Sequence, residues 1–436
     1  MTRYFRWQPV ATGVVLLWLT MTVHAGGGYF ALGYGPVARQ MAGATTAVAG
    51  DAYAGASNPA KLLSAGNRVD VGLELFLPSR RAERRGSGTP YDFATTSRNS
   101  LFFIPEAAFS WQLRSDFALG LTVYGNGGLN TEYRDDNGLP ASNFNPVACG
   151  NAPANLFLGC GKAGFDLTQL VIAPTAAWQL TPKHAVGVST LLAAQRFEAY
   201  GLQAFAPSSK YPNKVTNNGH DVAFGAGLRV GWYGELSNWL TAGVAWSSKI
   251  YMQEFDRYKG LFADGSFDIP ANYSVGLALR PTSRLLLALD LQRIEFGEVN
   301  ALSNSVLATL SPAGPALGSS GGSGFNWRNR NTLRAGMAYQ WSPKLTLRAG
   351  MAYGKRPNDD TIESVTFNLL APNPHRAYSA GFTWQPDTHH EFHLALGQFV
   401  EQTYRGPSAT AGLGVGGVEQ ITPHVEMIMF AWSWKR

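Results

Sequence analysis

Strict alternation of apolar with small or polar residues is the feature that most constrains the fold, and it is clearest in residues 221–233. Val222, Phe224 and Leu228 fall on one parity, while Asp221 and Arg229 fall on the other. Because successive side chains of a β-strand point to opposite faces, this stretch has one apolar and one polar face. A membrane barrel and a soluble β-sandwich both use such strands. Repetition along the chain decides between them.

The alternation recurs along the whole chain and predicts an all-β fold. We predict fourteen strands, at residues 68–78, 103–113, 117–124, 170–180, 184–200, 221–233, 240–249, 271–280, 285–292, 331–341, 344–353, 376–384, 391–398 and 424–434. Short turns alternate with long segments between them, as in barrels with short periplasmic turns and long external loops. The pattern predicts a transmembrane antiparallel β-barrel in a bacterial outer membrane. The even strand number places both chain ends in the periplasm.

Composition supports a membrane barrel over a soluble or nucleic-acid-binding protein. Charged residues make up only 15% of the chain, against the roughly 25% usual in soluble domains. The 49 glycines and the 12% aromatic content suit strands that carry aromatic girdles. The net charge of +6 is spread out, with no basic face interleaved with aromatic residues. We therefore expect no nucleic-acid partner.

Residues 1–25 are predicted to be a signal peptide. Arg3 and Arg6 precede an apolar stretch, and the small residue Ala25 ends a cleavage-like sequence. Export places the mature chain in an oxidising compartment. The two cysteines, Cys149 and Cys160, lie in one polar segment and are predicted to form a local disulfide.

Residues 26–67 form a separate predicted unit. They are rich in glycine and alanine, nearly uncharged, and have no sustained strand or helix period. Such a segment suits packing against a wall better than folding alone. We interpret it as an N-terminal plug, or hatch, inside the lumen, and we assign residues 68–436 to the barrel.

Five charged residues fall on the inward parity of the predicted strands. They are Glu74, Arg229, Asp290, Arg334 and Arg348. Buried charges need partners, and Glu74 or Asp290 is expected to serve the arginines. Two interpretations stay open: a salt-bridge network that pins the plug to the wall, which we favour, and cations that meet an acidic ligand headgroup.

A cluster of arginines falls in the first predicted loop. Arg80, Arg81, Arg84 and Arg85 surround Glu83. Arginine binds phosphate in a bidentate manner, so the cluster predicts either a lipopolysaccharide contact or an ordinary solvated loop.

No catalytic or metal-binding motif lies in a fitting context in the sequence. It contains no HExxH, and Gly318-Ser319-Ser320-Gly321-Gly322, which matches GxSxG, lies in a Gly/Ser-rich segment that predicts a flexible loop tip. His389, His390 and His393 have only Glu391 nearby, which favours a solvated or interfacial role. We predict no enzyme activity, no cofactor and no metal.

Six short motifs recur in an order that marks a known family. They are Ala42-Gly43-Ala44, Asp51-Ala52, Asn58-Pro59-Ala60, Ile269-Pro270-Ala271, Leu289-Asp290 and Leu345-Thr346-Leu347-Arg348-Ala349-Gly350. With these motifs the chain resembles the FadL family of outer-membrane transporters, which includes the long-chain fatty-acid transporter and TodX-type aromatic-hydrocarbon channels. The resemblance implies a hatch at Asn58, Pro59 and Ala60 and a wall opening in the third strand. The implied ligand-binding residues are Phe30, Leu32, Tyr34, Arg229, Arg334 and Arg348, and those of the opening are Gly120, Gly125 and Gly127.

The sequence thus predicts passive uptake of hydrophobic small molecules, either long-chain fatty acids or aromatic hydrocarbons, with hatch gating and lateral exit. The expected partners are that ligand, outer-membrane lipid and lipopolysaccharide, and the protein is expected to be a monomer. Two alternatives stay open: an aqueous porin for small hydrophilic solutes, and an adhesion or structural barrel that acts through its long loops.

Overall fold

A computed structural model of the chain describes residues 28–134, 139–311, 313–354, 363–372 and 374–436. The predicted signal peptide, residues 1–25, lies outside these residues. Within them, no helix has both the length and the apolar composition to cross a bilayer.

The described part of the chain is dominated by one sheet of seventeen strands. Fourteen of them are long, and the short ones, β2, β9 and β16, extend the sheet locally. The strands are β1 (Arg68–Arg85), β2 (Phe93–Thr96), β3 (Phe102–Arg114), β4 (Phe117–Tyr133), β5 (Ala163–Thr181), β6 (His184–Tyr200), β7 (Asp221–Ser237), β8 (Leu240–Ser247), β9 (Tyr251–Met252), β10 (Asn272–Thr282), β11 (Leu285–Ile294), β12 (Arg330–Ser342), β13 (Leu345–Gly354), β14 (Arg376–Trp384), β15 (His390–Phe399), β16 (Tyr404–Pro407) and β17 (Val418–Lys435).

The long strands close into an antiparallel ring. Each pairs with its neighbours in the sequence, and β1 pairs with β17 from Arg68 opposite Lys435 to Arg85 opposite Val418. This ladder leaves the ring without a first or last edge. The predicted barrel of fourteen long strands is confirmed.

On the barrel wall, the side chains face outward or inward as their alternation in the sequence predicts. On β1, Val71 and Leu73 are each 41% exposed, whereas Asp70 and Glu74 are buried. On β7, Phe224 and Leu228 are exposed and Arg229 is buried. Alternation therefore separates an apolar outer face from a polar inner face, as a bilayer requires.

Several strands run past their predicted ends towards the long loops. β1 continues to Arg85, and β4 to Tyr133. The expectation that the arginines of 80–85 lie in a loop is therefore wrong. Because they lie on a strand, their side chains alternate: Arg80 and Arg84 are buried inside, and Arg81 and Arg85 are exposed outside.

The remaining elements are short helices. The α-helices are Pro36–Gln40, Pro146–Cys149 and Asn300–Ser303, and the 3₁₀ helices are Tyr53–Ala56, Pro59–Ala65, Gln203–Ser208, Pro212–Lys214, Asp256–Tyr258, Ala263–Gly265, Phe296–Glu298, Phe367–Leu369 and Ala409–Leu413. Cys149 and Cys160 form the predicted disulfide in the segment between β4 and β5.

The long connections fold inward over one end of the barrel. Their buried aromatic side chains, together with Phe165 of β5 and Phe197 of β6, form a continuous apolar cluster, which we call the loop cluster. It includes Phe165, Phe197, Phe205, Phe255, Tyr258, Phe262, Phe267, Phe296, Phe325, Trp327 and Phe367.

The outward run of β1 yields a test of the lipid-facing assignment. Leu73 is the middle of the outward residues Val69 to Leu77, so Leu73→Arg places a charge in hydrocarbon. We expect it to lower the free energy of unfolding by about 2 kcal/mol or more, measured by denaturant titration in phospholipid vesicles. The control is Ser79→Arg, on the same face but beyond the apolar band. Equal effects of the two substitutions would contradict the assignment.

Candidate functional site

Residues 28–67, the hatch segment, lie inside the ring. The backbone amides of this segment bond to inward side chains on different sides of the wall: Ala42 N to Ser379 Oγ at 2.8 Å, Thr46 N to Asp290 Oδ2 at 2.7 Å and Ala52 N to Asp70 Oδ2 at 2.7 Å. The segment begins the described chain and ends where β1 starts. Its position is therefore fixed by the wall and not by a core of its own.

A buried ion-pair cluster holds the helix Pro36–Gln40. Arg39 Nε lies 2.7 Å from Glu74 Oε2, and Arg39 Nη2 lies 3.0 Å from Glu106 Oε1. Glu106 Oε2 also accepts a hydrogen bond of 2.9 Å from Gly35 N, at the start of the helix. One cation thus joins two strands, β1 and β3, to the hatch segment.

Asn58 fixes the second half of the hatch segment. Its Nδ2 donates to Thr46 O at 3.0 Å and to Trp232 O at 2.9 Å, and its Oδ1 accepts from Ala60 N at 3.1 Å. The last contact caps the helix Pro59–Ala65. The side chain is fully buried, and both of its amide hydrogens are used, one within the hatch segment and one on the wall.

Two glycines in register make room for this contact. Gly187 on β6 lies opposite Gly231 on β7. A Cβ at Gly187 would lie 2.5 Å from the carbonyl carbon of Pro59, and one at Gly231 would overlap Asn58 Oδ1. Only residues without a side chain let the hatch backbone approach the wall this closely.

Lys61 is a buried cation within the hatch segment itself. Its Nζ donates to Thr45 O at 2.6 Å and to Val48 O at 3.1 Å. Burial lowers the pKa of Lys61, while the charges of Asp51 and Asp290 oppose that lowering. The lysine ties the two halves of the segment together.

The wall is incomplete between β3 and β4. Their pairing begins at the turn and stops at Ala107 opposite Val123, whereas β4 stays paired with β5 as far as Tyr133 opposite Ala163. A bulge lies just beyond the end of the β3 ladder, between Gly125 and Gly127. One edge of β4 is therefore without its neighbouring wall strand from Tyr124 onward; we call this the β3–β4 gap.

The start of the hatch segment occupies the β3–β4 gap. Ala31 N donates to Asn126 O and Gly128 N donates to Tyr29 O, both at 3.1 Å. Between these bonds, Phe30 pairs with Gly127 as an isolated antiparallel bridge. A Cβ at Gly127 would overlap the Tyr29 carbonyl, so the bridge needs glycine there. The N-terminal strand thus replaces β3 along this part of β4.

A polar cavity lies beside this bridge. Its volume is about 40 Å³, enough for a few water-sized groups. Phe30, Tyr34, Arg229 and Arg334 line it, so the fold brings together four of the predicted ligand-binding residues. The other lining residues include Asp290, Gln292, Asn272, Ser247 and Ser274.

The two arginines of the cavity bond to the hatch segment and to neutral wall groups. Arg229 donates to Gly55 O at 2.7 Å and to Ser247 Oγ at 2.6 Å. Arg334 donates to Gly43 O at 3.3 Å and to Gln292 Oε1 at 2.6 Å.

Glu74 and Asp290 were expected to pair with the arginines of the lumen wall. The partners that they contact lie instead in the hatch segment. Glu74 binds Arg39, and Asp290 Oδ2 accepts from the backbone of Thr46. Asp290 Oδ1 and Arg334 Nε are buried at the cavity without a hydrogen-bond partner.

Three other predicted residues lie elsewhere. Leu32 packs in a separate apolar cluster with Phe76 and Phe102. Arg348 Nη1 donates to Gln40 Oε1 at 2.8 Å. Gly120 sits in a regular part of β4, under the side chain of Leu62 and away from the bulge.

The site also contains residues that sequence reasoning missed. Arg39 and Glu106 carry the main ion pair, and Gly187 and Gly231 form the docking groove. The parity of Glu106 on the second predicted strand, residues 103–113, and the repeated inward glycines were visible signals. Arg39 had none, because the hatch segment shows no period from which a facing direction follows.

The histidine cluster separates in the fold. His393 faces inward and lies between Thr383 Oγ1 at 2.8 Å and Ser433 Oγ at 3.0 Å. The backbone amides of His389 and His390 both donate to Asp387 Oδ1 in a turn. Among the described residues, no three His, Cys, Asp or Glu side chains are arranged to hold a metal ion.

The fold and the site define a class: closed outer-membrane barrels whose lumen is filled by their own N-terminal segment. Residues 159–431 match the family described as Outer membrane protein transport protein (OMPP1/FadL/TodX). The match covers more than half of the chain, and the protein belongs to this family. A comparison with curated protein sequences found no match.

Solved structures with the same fold cover nearly the whole chain. The toluene transporter TodX of Pseudomonas putida has a TM-score of 0.68 at 17% identity, covering 93% of this chain and 99% of its own. The toluene transporter TbuX of Ralstonia pickettii has a TM-score of 0.61 at 17% identity, with coverages of 92% and 98%. A FadL homologue of Pseudomonas aeruginosa has a TM-score of 0.65 at 14% identity, with coverages of 94% and 99%.

The Arg39 cluster yields a test of hatch docking. Arg39→Met leaves Glu74 and Glu106 buried without their cation, a loss of about 3–5 kcal/mol for a broken buried pair. We expect a loosened hatch segment, seen as larger or more frequent conductance steps in planar bilayers. Arg114→Met, which breaks the exposed pair with Asp116, is the control. Equal conductance of the Arg39→Met variant and the unmodified protein would show that the cluster does not hold the hatch.

Proposed function

We propose that the protein passively takes up hydrophobic small molecules across the outer membrane, with the hatch segment as gate and the β3–β4 gap as lateral exit. The observation that carries the proposal is the replacement of a wall strand by Tyr29–Ala31. A strand held by one bridge and two hydrogen bonds is easier to displace than a long ladder. Its displacement would open the wall towards the lipid.

The loop cluster supplies the entry side of the proposed path. Tyr29 touches it directly: its ring lies 5.9 Å from that of Phe296 and 6.2 Å from that of Trp327. An apolar ligand that enters among these side chains gains about 25 cal/mol per Å² of apolar surface removed from water. Such a ligand would meet the N-terminal strand before it meets any polar lumen.

The polar cavity supplies orientation in the proposed path. Arg334 Nε and Asp290 Oδ1 are available there for a headgroup that both accepts and donates hydrogen bonds. A protonated fatty acid can accept from Arg334 through its carbonyl oxygen and donate to Asp290 through its O–H, whereas an aromatic hydrocarbon would use only Phe30 and Tyr34. The cavity's lining favours the fatty acid, while two proteins with the same fold, TodX and TbuX, are toluene transporters.

The body of the hatch segment would stay in place while its first residues move. Asn58, Pro59 and Ala60 join it to β7, and the Arg39 cluster joins it to β1 and β3. We propose that ligand contact at Tyr29–Ala31 frees the strand while these contacts hold the rest. The long loops then face outward, and the start of β1 at Arg68 and the end of β17 at Lys435 face the periplasm, in a monomer surrounded by outer-membrane lipid, with lipopolysaccharide on the loop side.

Uptake into liposomes tests the substrate class. Liposomes that carry the purified protein are supplied separately with a long-chain fatty acid, toluene and a small sugar, and the flux of each solute is measured. We expect flux of a hydrophobic solute and a sugar flux at the level of empty liposomes. Sugar flux without apolar selectivity would instead indicate an aqueous porin, and no flux of any solute would indicate an adhesion or structural barrel.

Deletion of Asn126 tests the lateral exit. It removes the extra residue of the bulge between Gly125 and Gly127, so β4 regains a regular register and its edge can pair with β3. We expect uptake of the hydrophobic solute to fall about tenfold or more while the barrel stays folded by heat-modifiability on gels. Asn126→Ala, which keeps the bulge, is the control. Unchanged uptake in the folded deletion variant would overturn lateral exit.

A further inference from the structure

The outer face of β1 changes character beyond the apolar band. Leu77 is followed on the same face by Ser79, Arg81, Glu83 and Arg85. The side chains of Arg81 and Arg85 are 61% and 76% exposed. At about 3.4 Å per residue and a tilt of about 40°, Arg81 lies about 10 Å beyond Leu77 along the membrane normal. These arginines therefore lie at the level of lipid headgroups on the long-loop side.

A third arginine joins them from a strand distant in the sequence. Arg405 on β16 is in register with Gln420 on β17, and Gln420 is in register with Glu83 on β1. Arg405 Nε donates to Gln420 Oε1 at 2.8 Å, and Gln420 Nε2 donates to Glu83 Oε2 at 3.2 Å. This chain of contacts holds the outer row of the three strands together.

The row forms an open groove of about 870 Å³ including the space above it, lined by Arg81, Glu83, Arg85, Arg405, Val418 and Gln420. Three arginines and one glutamate leave it with two excess positive charges. Glu83 is occupied by Arg85, with which it forms an ion pair. Arg81 Nη2 lies 3.9 Å from Glu83, beyond hydrogen-bond distance. Arg81 and Arg405 therefore present their guanidinium groups on the lipid side of the wall.

Arg80 and Arg84 serve a different purpose. Arg84 is fully buried and pairs with Glu419 inside the barrel, at 2.5 Å. The four arginines of residues 80–85 are thus split by strand parity into an inner structural pair and an outer exposed pair. The exposed pair gains Arg405 as its neighbour.

We infer that this groove binds the phosphate groups of lipid A, the lipid part of lipopolysaccharide, through Arg81, Arg85 and Arg405. Guanidinium groups bind phosphate by paired, charge-assisted hydrogen bonds. The groove lies at the level along the membrane normal where a headgroup phosphate lies, and the apolar wall below it can contact the acyl chains. The inference rests on the proposed orientation with the long loops outward, and it names the site at which that lipid is held.

Binding of purified diphosphorylated lipid A to the full-length protein in detergent tests the inference, with native mass spectrometry as the readout. For the double variant Arg81→Gln/Arg405→Gln we expect affinity to fall about tenfold or more. The matched control is Arg114→Gln/Arg284→Gln, which removes two exposed arginines at the short-turn end and leaves affinity unchanged. Equal affinities of the unmodified protein and the Arg81/Arg405 variant would overturn the inference.

Two further arms separate the sources of phosphate. Lipid A without its phosphates and phosphatidylglycerol should both bind at least tenfold more weakly than diphosphorylated lipid A. If phosphatidylglycerol binds equally well with the same arginine dependence, the groove is a general anionic-lipid site and the lipid A assignment is wrong. Millimolar inorganic phosphate should not displace lipid A, and its doing so would also overturn the assignment.

Glu83→Gln supplies a test in the opposite direction. It removes the single carboxylate of the groove and frees Arg85, so lipid A should bind several-fold more tightly. Weaker binding would overturn the inference. Liposome uptake of the hydrophobic solute is measured in parallel for all variants and should not change, so a failure of lipid A binding is distinguished from a failure of the proposed transport.

Discussion

Backbone hydrogen bonding in hydrocarbon is the constraint on which the rest of this structure depends. A wall strand inside a bilayer has no water to satisfy its amides, so each edge must be paired. The β1–β17 ladder meets this requirement at the ends of the chain. Beyond Val123, β4 loses β3, and Tyr29–Ala31 takes its place. The chain's own beginning therefore becomes part of the wall.

This arrangement couples the hatch segment to the integrity of the barrel. The same residues that complete the β4 edge also line the polar cavity and touch the loop cluster. A ligand that displaced Tyr29 or Phe30 would therefore also remove the segment that takes the place of β3 along β4. By contrast, Arg39 with Glu74 and Glu106 is a contact that is costly to break, because any member left alone is a buried charge. The hatch segment thus has one weakly held end and one strongly held body.

The two interpretations of the lumenal charges separate in space. Arg39, Glu74 and Glu106 form the salt-bridge network that pins the hatch segment to the wall, although the cation belongs to the hatch and not to a strand. Arg229 and Arg334 lie instead at the cavity and donate to backbone carbonyls of the hatch segment. Asp290 and Arg334 each keep one buried polar atom without a partner. The salt-bridge network and the proposed headgroup site therefore lie on different sides of the lumen.

Much of the wall could be predicted because the face on which a strand residue lies follows from its alternation with its neighbours in the sequence. Parity alone placed Val222, Phe224 and Arg229 on their faces, and it gave the fourteen long strands. Strand ends were less predictable, since β1 and β4 leave the apolar band and continue with polar residues that resemble loops. That is why the arginines of 80–85 were expected in a loop, although the pairing of β1 with β17 keeps them on a strand.

The sequence by itself determined the barrel, the faces of its strands, the disulfide pair and the existence of a separate N-terminal segment. Each of these depends on residues close together in the chain or on a period of two. Only the tertiary structure decided that Arg39 meets Glu74 and Glu106, that Tyr29–Ala31 fills the β3–β4 gap, and that Gln420 joins Arg405 to Glu83. These contacts join residues far apart in the chain, and closing the ring is what brings them within bonding distance.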